Sequence, residues 1–444
     1  MSKCQVTATW LDEAGHGVGT ADGRRVHVAD LLPGECAEVA IDHTSPHKPE
    51  AWGRVVRRLG TASADRVEPA CPGFGRCGGC LWQHLAYPAQ LAAKRARVVA
   101  ALGEDAAVAD VRPSPQLLGY RNKGKYVVGR LRTALGESIV LGAYAPRSHH
   151  VIDTIGCRVV APIIDEVATW VRGAAERAQL VPYDEKARTG ELRYIVVREA
   201  AGDVMIALIV ATAAERIKLE RVANALAKHP AVRGLVAITN DRRDGAIVPS
   251  GSSAQVLFGH GHLVEELAGV TLEVGASEFL QVNRAQAQAM YARVAELAGD
   301  LRGKHAVDLF AGLGGFGLHL ARAGATVVAV EIDRDAVAQL RRAAEHANLP
   351  LTAIAGDATA ALIEELGEPD VVVVNPPRKG LSEATRDLLA ALAPPMIIYV
   401  SCGPDSLGRD LAALRVHGYS PDAIEPFDLM PGTAQVETIV RLRK

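Results

Sequence analysis

The sequence lacks long apolar runs, is poor in aromatic residues at 4%, and carries almost no net charge. Its longest apolar stretch, around 204–214, falls well short of the roughly 18 residues that span a membrane, and it predicts a buried strand instead. No membrane association is therefore expected. The N-terminal residues also lack the basic-then-apolar layout of a secretory signal, which predicts a cytoplasmic protein.

The charge balance excludes a uniformly basic nucleic-acid-binding protein. The chain has 49 basic and 51 acidic residues and a formal net charge of −2. Any surface for nucleic acid must then be local. Two segments that are basic and contain aromatic residues, 121–132 and 185–199, are candidates, with ordinary solvated strands and loops as the alternative.

Cysteine is also scarce, but its distribution is uneven. Of the seven cysteines, Cys71, Cys77 and Cys80 fall within ten positions of one another. In the cytosol, cysteines act more often as ligands or nucleophiles than as disulfides. Three thiols this close are too many for one disulfide and one too few for a four-cysteine metal site. A fourth ligand is therefore expected elsewhere in the chain.

The length of 444 residues suits two to four domains. Short alternating segments separated by turn residues predict a small β-barrel over 1–58, which either binds RNA through its terminal arginines or serves only as a structural cap. Strands alternating with helical stretches predict a mixed α+β central domain over 59–270. In 271–444, apolar strands alternate with amphipathic helices, which predicts an α/β domain with a Rossmann-like parallel sheet covered on both faces.

A glycine motif in the last third predicts a nucleotide-type cofactor. Residues 312–317 fit G-x-G-x-x-G between a predicted strand and a predicted helix. Glu331 ends the next strand, 21 residues after Phe310, where a carboxylate can accept hydrogen bonds from both ribose hydroxyls. This pattern fits NAD or S-adenosyl-L-methionine, and a tight turn without a ligand is the structural alternative. The Asn-Pro-Pro turn that begins at Asn375 is typical of methyltransferases and favours S-adenosyl-L-methionine.

Cys402 follows another apolar strand, at the sheet edge where open α/β folds build their sites. A helix start expected at 405 or 406 would lower the pKa of its thiol, as a nucleophile requires. The alternative is a buried structural cysteine. Glu437 lies within an apolar strand, where a carboxylate is costly unless it faces solvent or a site. Spacing alone leaves open whether these two side chains form a pair.

These features together resemble the RNA (uracil-5-)-methyltransferases, which form 5-methyluridine in tRNA and rRNA. The segments that carry the resemblance are SEFLQVN, DLFAGLGGFGLH, VNPPRKGL, YVSCGP, FDLMPGTAQVET and the cysteine pattern. Several of them are most similar to the RlmC-like branch, which methylates a uridine in 23S rRNA. Residues 1–58 resemble instead the TRAM domain, an OB-type RNA-binding barrel found on other branches.

The resemblance implies roles for individual residues. Cys402 would be the nucleophile and Glu437 the base. The S-adenosyl-L-methionine site would be lined by Gln281, Phe310, Glu331 and Asn375. The sequence departs from many relatives at Asn375, where they carry Asp, at Gly315, where other branches carry Asn, and at Ala311, where Cys is common.

The resemblance also supplies the fourth thiol. Family members hold a [4Fe–4S] cluster with three clustered cysteines and one distant cysteine, which implies Cys71, Cys77, Cys80 and Cys157 as its ligands. Structural zinc usually uses paired C-x-x-C knuckles, so a single C-x-x-C makes zinc the weaker alternative. A structural role is expected for the cluster, as a link between the segment after the barrel and the central domain.

The expected function is S-adenosyl-L-methionine-dependent methylation of uracil carbon 5, with 23S rRNA as the RNA partner and no obligate protein partner. Methylation of a tRNA T-loop uridine is the alternative with the same chemistry. An amino-group methyltransferase could also use the Asn-Pro-Pro turn, but Arg378 stands where such enzymes carry an aromatic residue. A non-catalytic RNA-binding protein would leave the glycine motif unexplained.

Overall fold

The computed structural model describes residues 3–133, 136–146, 148–212, 214–242, 246–248, 252–267, 269–359 and 362–444. Within this part of the chain the strands form three large sheets and one two-stranded ribbon. Helices cover the two larger sheets, so the predicted α/β class is confirmed. No helix of the described residues is long and apolar enough to cross a membrane.

The N-terminal residues form a six-stranded sheet in the order β1-β5-β6-β4-β3-β2. Its strands pair antiparallel except β4 and β6, which are parallel. The sheet curls, which brings β1 close to β3. A Cβ at Gly19 of β3 would lie only 2.2 Å from the carbonyl oxygen of Thr7 in β1. The strands are β1 (Lys3–Thr7), β2 (Trp10–Leu11), β3 (Gly17–Ala21), β4 (Arg24–Ala29), β5 (Cys36–Thr44) and β6 (Glu50–Leu59).

Helix α1 spans Tyr87–Leu102, with Pro88 in its first turn. Although the sequence places it between the cysteines and the central strands, it packs on the C-terminal sheet, where Val98 is fully buried. The chain that follows it stays there, because Val108 and Arg112 form bridges with the strand at 420–427. The segment from 87 to 112 is therefore part of the packing around the C-terminal sheet.

A central seven-stranded sheet follows in the order β13-β12-β11-β10-β7-β8-β9. Two helices pack on one of its faces and bury a continuous apolar core that includes Ile195 and Ile206. The elements are β7 (Lys123–Thr133), β8 (Gly136–Tyr144), β9 (Val151–Asp153), α2 (Pro162–Arg177), β10 (Leu192–Ala200), β11 (Asp203–Val210), α3 (Arg216–Leu226), β12 (Val232–Thr239) and β13 (Ala254–Gly259).

The two basic segments are exposed only in part: Lys125, Arg130, Lys186 and Arg188 lie at the surface, whereas three other cations are buried. Lys123, Arg193 and Arg198 are only 7%, 4% and 0% exposed. Their charges are used inside the protein: the Lys123 Nζ donates to the Glu278 carbonyl at 2.7 Å, and Arg193 donates to the Asn240 carbonyl at 2.6 Å. These three side chains are therefore not available to an RNA backbone.

The ribbon of β14 (Leu263–Leu267) and β15 (Val270–Val274) leads into the C-terminal sheet, ordered β18-β17-β16-β19-β20-β22-β21. The first five strands in this order, β18, β17, β16, β19 and β20, are parallel, and β22 is antiparallel to both of its neighbours. Its elements are α4 (Arg284–Ala298), β16 (His305–Leu309), α5 (Gly315–Arg322), β17 (Thr326–Glu331), α6 (Arg334–His346), β18 (Leu351–Ala355), α7 (Ile363–Leu366), β19 (Val371–Val374), α8 (Glu383–Leu392), β20 (Met396–Ser401), α9 (Pro404–Val416), β21 (Ser420–Phe427) and β22 (Glu437–Arg443).

Both faces of this sheet are buried, which explains the continuous apolar run of β19, Val371–Val374. Helices α4, α5 and α6 cover one face, and α1, α8 and α9 cover the other. The strand order reverses direction between β16 and β19, the kind of switch point where open α/β sheets bind ligands at the carboxyl ends of their strands. The predicted site residues follow strand ends at this edge.

Candidate active site

The glycine loop begins with a strained backbone at the end of β16. Phe310 has a φ of +64°, in the left-handed region that bulky residues rarely adopt. Gly314 follows with a φ of +85°, and a Cβ there would lie 2.4 Å from the Leu340 Cδ1. The loop therefore makes a sharp turn into α5, and at position 314 only glycine fits.

Two carboxyl groups, those of Glu331 and Asp308, hold the glycine loop by accepting hydrogen bonds from its backbone. The Gly312 N–H donates to the Glu331 Oε2 at 2.8 Å, and the Gly317 N–H donates to the Asp308 Oδ2 at 2.8 Å. Glu331 ends β17, as the sequence predicted. Asp308 is fully buried, and burial together with the Glu331 charge raises its pKa to about 7. The loop is thus held in one conformation before any ligand is present.

Packing explains why residue 315 has no side chain. A Cβ at this position would lie 2.6 Å from the Tyr291 Cζ, so the buried Tyr291 ring fills the space beside the loop. The same ring packs edge-on against Phe316 at 4.9 Å. Burial and the nearby charges of Glu437 and Asp308 raise the pKa of Tyr291. No sequence motif marks Tyr291, which reaches this position from α4.

Gln281 and Asn375 approach the same edge from two sides. Gln281 lines a narrow cleft together with Tyr291. Asn375 continues β19 by one residue, because its N–H donates to the Leu309 carbonyl at 3.3 Å. Both side chains are half-buried. Three of the residues predicted to line the cofactor site, Phe310, Glu331 and Asn375, therefore lie at the glycine loop and the adjacent strand ends, whereas Gln281 is linked to the loop only through Tyr291.

The Asn-Pro-Pro-Arg loop is anchored by one buried carboxylate. Asp410 of α9 accepts hydrogen bonds from the Leu381 N–H at 2.7 Å and from the Tyr399 hydroxyl at 2.6 Å. A Cβ at Gly380 would lie 2.3 Å from the same oxygen, so the loop passes directly over it. This contact fixes the position of Arg378 relative to α9, which begins just after Cys402.

Cys402 and Glu437 lie side by side at the open end of two paired strands. The antiparallel register aligns Ser401 of β20 with Thr438 of β22, so the next residues along, Cys402 and Glu437, are neighbours. Helix α9 begins at Pro404, one or two residues earlier than predicted. The arrangement brings a half-buried thiol next to a carboxyl group.

The electrostatics of this pair differ from the prediction for the thiol. Burial and the Glu437 charge raise the pKa of Cys402, although Arg378 and the local backbone act in the opposite direction. The expected lowering by the helix N-terminus is therefore outweighed. Burial also raises the pKa of Glu437 to about 7, with Arg378 again opposing the shift. The two groups disfavour each other's negative charge, and Arg378 compensates in part.

A cavity of about 200 Å³ opens beside the thiol. Its wall contains Arg378 and Gln435, which are hydrogen-bonded to each other, and the first turn of α9. Two further residues come from distant parts of the chain: Glu13 from the turn between β2 and β3, and Arg97 from α1. Sequence analysis predicted neither of them.

The four cysteines line one larger cavity, of about 380 Å³. A tetrahedral zinc site with Zn–S bonds of about 2.3 Å needs sulfur atoms about 3.8 Å apart. Yet no three of the four sulfur atoms lie within 4.8 Å of one another. Burial raises the pKa of Cys80 to about 11, and Arg121, whose Nε is buried without a hydrogen-bond partner, opposes that shift. The four thiols thus share one cavity with a cation that would offset negative charge held there.

Comparison with known proteins gives the family. The chain is 32% identical to an uncharacterized RNA methyltransferase of Halalkalibacterium halodurans, over 99% of this chain and 96% of the relative. A second such protein, from Geobacter sulfurreducens, is 35% identical over 99% of this chain and 90% of its own length. The chain belongs to the RNA methyltransferases.

Two further comparisons concern the C-terminal part of the chain and the fold. The family model described as Conserved hypothetical protein 95 matches residues 287–417 of this RNA methyltransferase. The crystal structure of the Pyrococcus abyssi tRNA (uracil-54, C5)-methyltransferase with S-adenosyl-L-homocysteine has a TM-score of 0.77 and 24% identity, covering 99% of this chain and all of that one. The whole chain therefore shares its fold with that enzyme.

In this RNA methyltransferase the cysteine segment supports the loop that precedes Glu437. The Trp82 N–H donates to the Gly432 carbonyl at 2.8 Å, and the Gly432 N–H donates to the Gln90 Oε1 at 2.9 Å. Gly432 has a φ of +77°, and a Cβ there would lie 3.0 Å from Gln83 and 3.7 Å from the Cys80 Cβ. No sequence motif indicates this contact between the cysteines and the loop 428–436.

A buried ion pair holds the other end of that loop. Lys94 and Asp428 are both 0% exposed, with the Lys94 Nζ 2.5 Å from the Asp428 Oδ1. Removing the ammonium leaves a carboxylate buried without its counter-charge, so we expect Lys94→Met to lower the free energy of unfolding by about 3–5 kcal/mol. Urea denaturation followed by fluorescence measures this loss.

The matched control is Lys3→Met, because Lys3 and Glu38 form an exposed pair at 3.0 Å in the N-terminal sheet. Such pairs contribute at most about 1 kcal/mol. An equal, small effect of both substitutions would contradict the role of Lys94 in holding the loop.

Proposed function

We propose that this RNA methyltransferase transfers a methyl group from S-adenosyl-L-methionine to carbon 5 of uracil in RNA, through a covalent bond between Cys402 and the base. The observation that carries the proposal is the adjacency of Cys402 and Glu437 beside the glycine loop. A thiol next to a carboxyl group of raised pKa suits a nucleophile and a base that act in sequence.

Four residues would hold the cofactor: Gln281, Phe310, Glu331 and Asn375. The Glu331 oxygens accept from the Gly312 and Asp333 N–H groups, at 2.8 and 2.9 Å, and each retains a lone pair for a ribose hydroxyl. When bound, S-adenosyl-L-methionine supplies an electrophilic methyl group on its sulfonium. The P. abyssi relative was solved with S-adenosyl-L-homocysteine, which is consistent with this assignment.

The proposed reaction begins at Cys402. Its thiol loses a proton to water, and the thiolate forms a bond to carbon 6 of uracil, which moves the electrons of the carbon 5–carbon 6 double bond onto an enolate. Carbon 5 then forms a bond to the methyl group, and the sulfonium carbon–sulfur bond breaks to leave S-adenosylhomocysteine. Splitting one difficult methylation into two steps is the benefit of covalent catalysis.

Glu437 completes the cycle. Its carboxylate removes the proton from carbon 5, the double bond forms again, and the bond between carbon 6 and the Cys402 sulfur breaks to release the thiolate. Glu437 then passes the proton to water. A base with a pKa of about 7 is half ionised near neutral pH and still basic enough for this step. Arg378 can stabilise the enolate oxygen or contact a phosphate.

The proposed substrate is a uridine that leaves its stack to enter the site, most favourably from a single-stranded loop. The RlmC-like segments point to 23S rRNA. The tRNA alternative is supported by the P. abyssi relative, whose name gives uracil 54 of tRNA as its target. In the proposed domain division, a TRAM-like barrel over 1–58 binds RNA, 59–270 is the central domain, and 271–444 carries the reaction.

The proposed ligands of a [4Fe–4S] cluster are Cys71, Cys77, Cys80 and Cys157. The cavity that the four cysteines share and the cations that line it support this choice. The cluster would supply cross-linking rather than chemistry on the base. Its segment would thereby hold the loop 428–436 through Trp82 and Gly432.

The test is methyl transfer from labelled S-adenosyl-L-methionine to unmodified 23S rRNA and, separately, unmodified tRNA. The product nucleoside is identified by mass spectrometry and its position is mapped. We expect 5-methyluridine in 23S rRNA. 5-Methyluridine in tRNA alone would keep the reaction and change the target, whereas a methylated amine would overturn the proposal.

A further inference from the structure

The cavity beside Cys402 contains an ion pair that the reaction does not use. We propose that Arg97 binds a phosphodiester group of the substrate RNA next to the target nucleotide, and that the Glu13 carboxylate occupies this position until RNA displaces it. The proposal rests on the proposed function, since it assigns Arg97 to the same substrate. It makes the N-terminal sheet part of the catalytic entrance.

The geometry of Arg97 carries the argument. The Arg97 Nη1 donates to the Ala434 carbonyl, three residues before Glu437, and the Nη2 donates to the Glu13 carboxylate. The first contact fixes the guanidinium against the loop of the proposed base. The second is an anion contact across two parts of the fold, with side-chain exposures of 22% for Arg97 and 73% for Glu13.

The surroundings of Arg97 favour an anion. Arg97 and Arg378 are the cations of the cavity wall, and the N-terminus of the 13-residue helix α9 adds a partial positive charge there. Asp405 in the first turn of that helix opposes them. Without Glu13, the two arginines outnumber the one remaining carboxylate of the wall. A phosphodiester carries one negative charge, as Glu13 does, and can replace it at the guanidinium.

Glu13 can leave without a change of fold. Exposed ion pairs contribute little to stability, so exchange with a phosphate is not costly. The backbone of the turn is anchored independently, because the Trp82 Nε1 donates to the Asp12 carbonyl at 3.0 Å and the His16 N–H donates to the Asp12 Oδ1 at 2.8 Å. Only the Glu13 side chain needs to turn away.

The test measures binding rather than turnover. A short fluorescein-labelled single-stranded RNA that contains one uridine is titrated with full-length protein, and anisotropy is read at several salt concentrations. We expect Glu13→Gln to tighten binding by about two- to fivefold, because Arg97 loses its competitor. Arg97→Gln should weaken binding by about tenfold and lower the salt dependence by about one counterion, whereas Arg97→Lys should restore that dependence.

Two comparisons keep the test specific. Glu50→Gln removes a half-buried carboxylate of the N-terminal sheet, paired with Arg25 at 2.6 Å outside the cavity, and should leave affinity unchanged. In an Arg97→Gln background, Glu13→Gln should no longer tighten binding. Unchanged or weaker binding by Glu13→Gln alone, or an unchanged salt dependence in Arg97→Gln, would overturn the proposal.

Failure of the proposed function would be separate, because it would appear as the absence of 5-methyluridine while these binding differences persisted. Thermal unfolding checks that each variant folds. If Arg97→Gln does not fold, the RNA affinity of Glu13→Gln compared with that of Glu50→Gln decides whether the inference holds.

Discussion

Replacing Cys402 with alanine is expected to abolish methyl transfer and to leave cofactor binding intact. Without the thiolate, carbon 5 of uracil is not converted to an enolate carbon, and removal of a covalent nucleophile typically costs roughly 10⁴-fold or more in rate. The proposed cofactor residues lie on other strand ends, so the affinity for S-adenosylhomocysteine should stay within about twofold of wild type. Labelled methyl transfer and calorimetry measure the two quantities.

The matched control for this substitution is Cys36→Ala. Cys36 is also a half-buried cysteine, but it lies in the N-terminal sheet, outside the cavity beside Cys402. Its replacement should preserve the rate. A Cys402→Ala enzyme that retained more than about a tenth of wild-type activity would exclude the covalent route.

Replacing Glu437 with glutamine is expected to stop the cycle after methyl transfer. The methylated base then stays bonded to Cys402, because no group removes the carbon 5 proton, and a protein–RNA adduct accumulates. Denaturing gel electrophoresis with labelled RNA detects this adduct, and its decay should be slowed by roughly 10²-fold or more. Glu425→Gln is the control, because Glu425 on the adjacent strand pairs with Arg293 at 2.8 Å. Normal turnover without an adduct in Glu437→Gln would contradict the assignment of the base.

The pKa of Glu437 predicts how the rate of this step depends on pH. Since the base acts as a carboxylate and its pKa is raised to about 7, the wild-type adduct should decay more slowly as pH falls below 7 and reach a plateau above it. Adduct decay is the appropriate quantity, because the pKa of the Cys402 thiol is raised as well and affects adduct formation. A decay rate independent of pH would point to another base.

The parts of the site that depend on strand ends could be predicted from the sequence. In a parallel α/β sheet the carboxyl ends of the strands meet at one edge, so Glu331, Asn375 and Cys402 had to lie near one another once their strands were recognised. The αβ alternation was strong enough to identify those strands. Their order and the neighbouring position of Glu437 on β22 then follow from the topology.

What the sequence did not reveal depends on contacts between distant segments. Glu13 and Arg97 meet at the Cys402 cavity from positions 84 residues apart, and no local pattern marks either of them. Tyr291 looks like an ordinary apolar position of α4 until the missing Cβ at Gly315 is considered. The raised pKa of Cys402 was missed because burial is a property of the packed structure, whereas the helix N-terminus is visible in the sequence.

Local charge indicates only in part which cations reach the surface. The segments 121–132 and 185–199 are basic in composition, yet Lys123, Arg193 and Arg198 point into the protein and serve its own carbonyl groups. Composition records how many charges a segment has, but not which face of a strand carries them. The entrance beside Cys402 uses two single arginines, Arg97 and Arg378, from separate regions of the chain, which no window of sequence would detect.

The most direct test of the account is to react the protein with S-adenosyl-L-methionine and an RNA that carries 5-fluorouridine at the methylated position. Fluorine replaces the carbon 5 hydrogen, so Glu437 has no proton to remove and the covalent intermediate cannot resolve. After digestion, mass spectrometry is expected to find a methylated fluorouridine nucleotide on the peptide that contains Cys402. An unmodified Cys402 peptide from an enzyme that forms 5-methyluridine on normal RNA, or an adduct on another cysteine, would contradict the proposed mechanism.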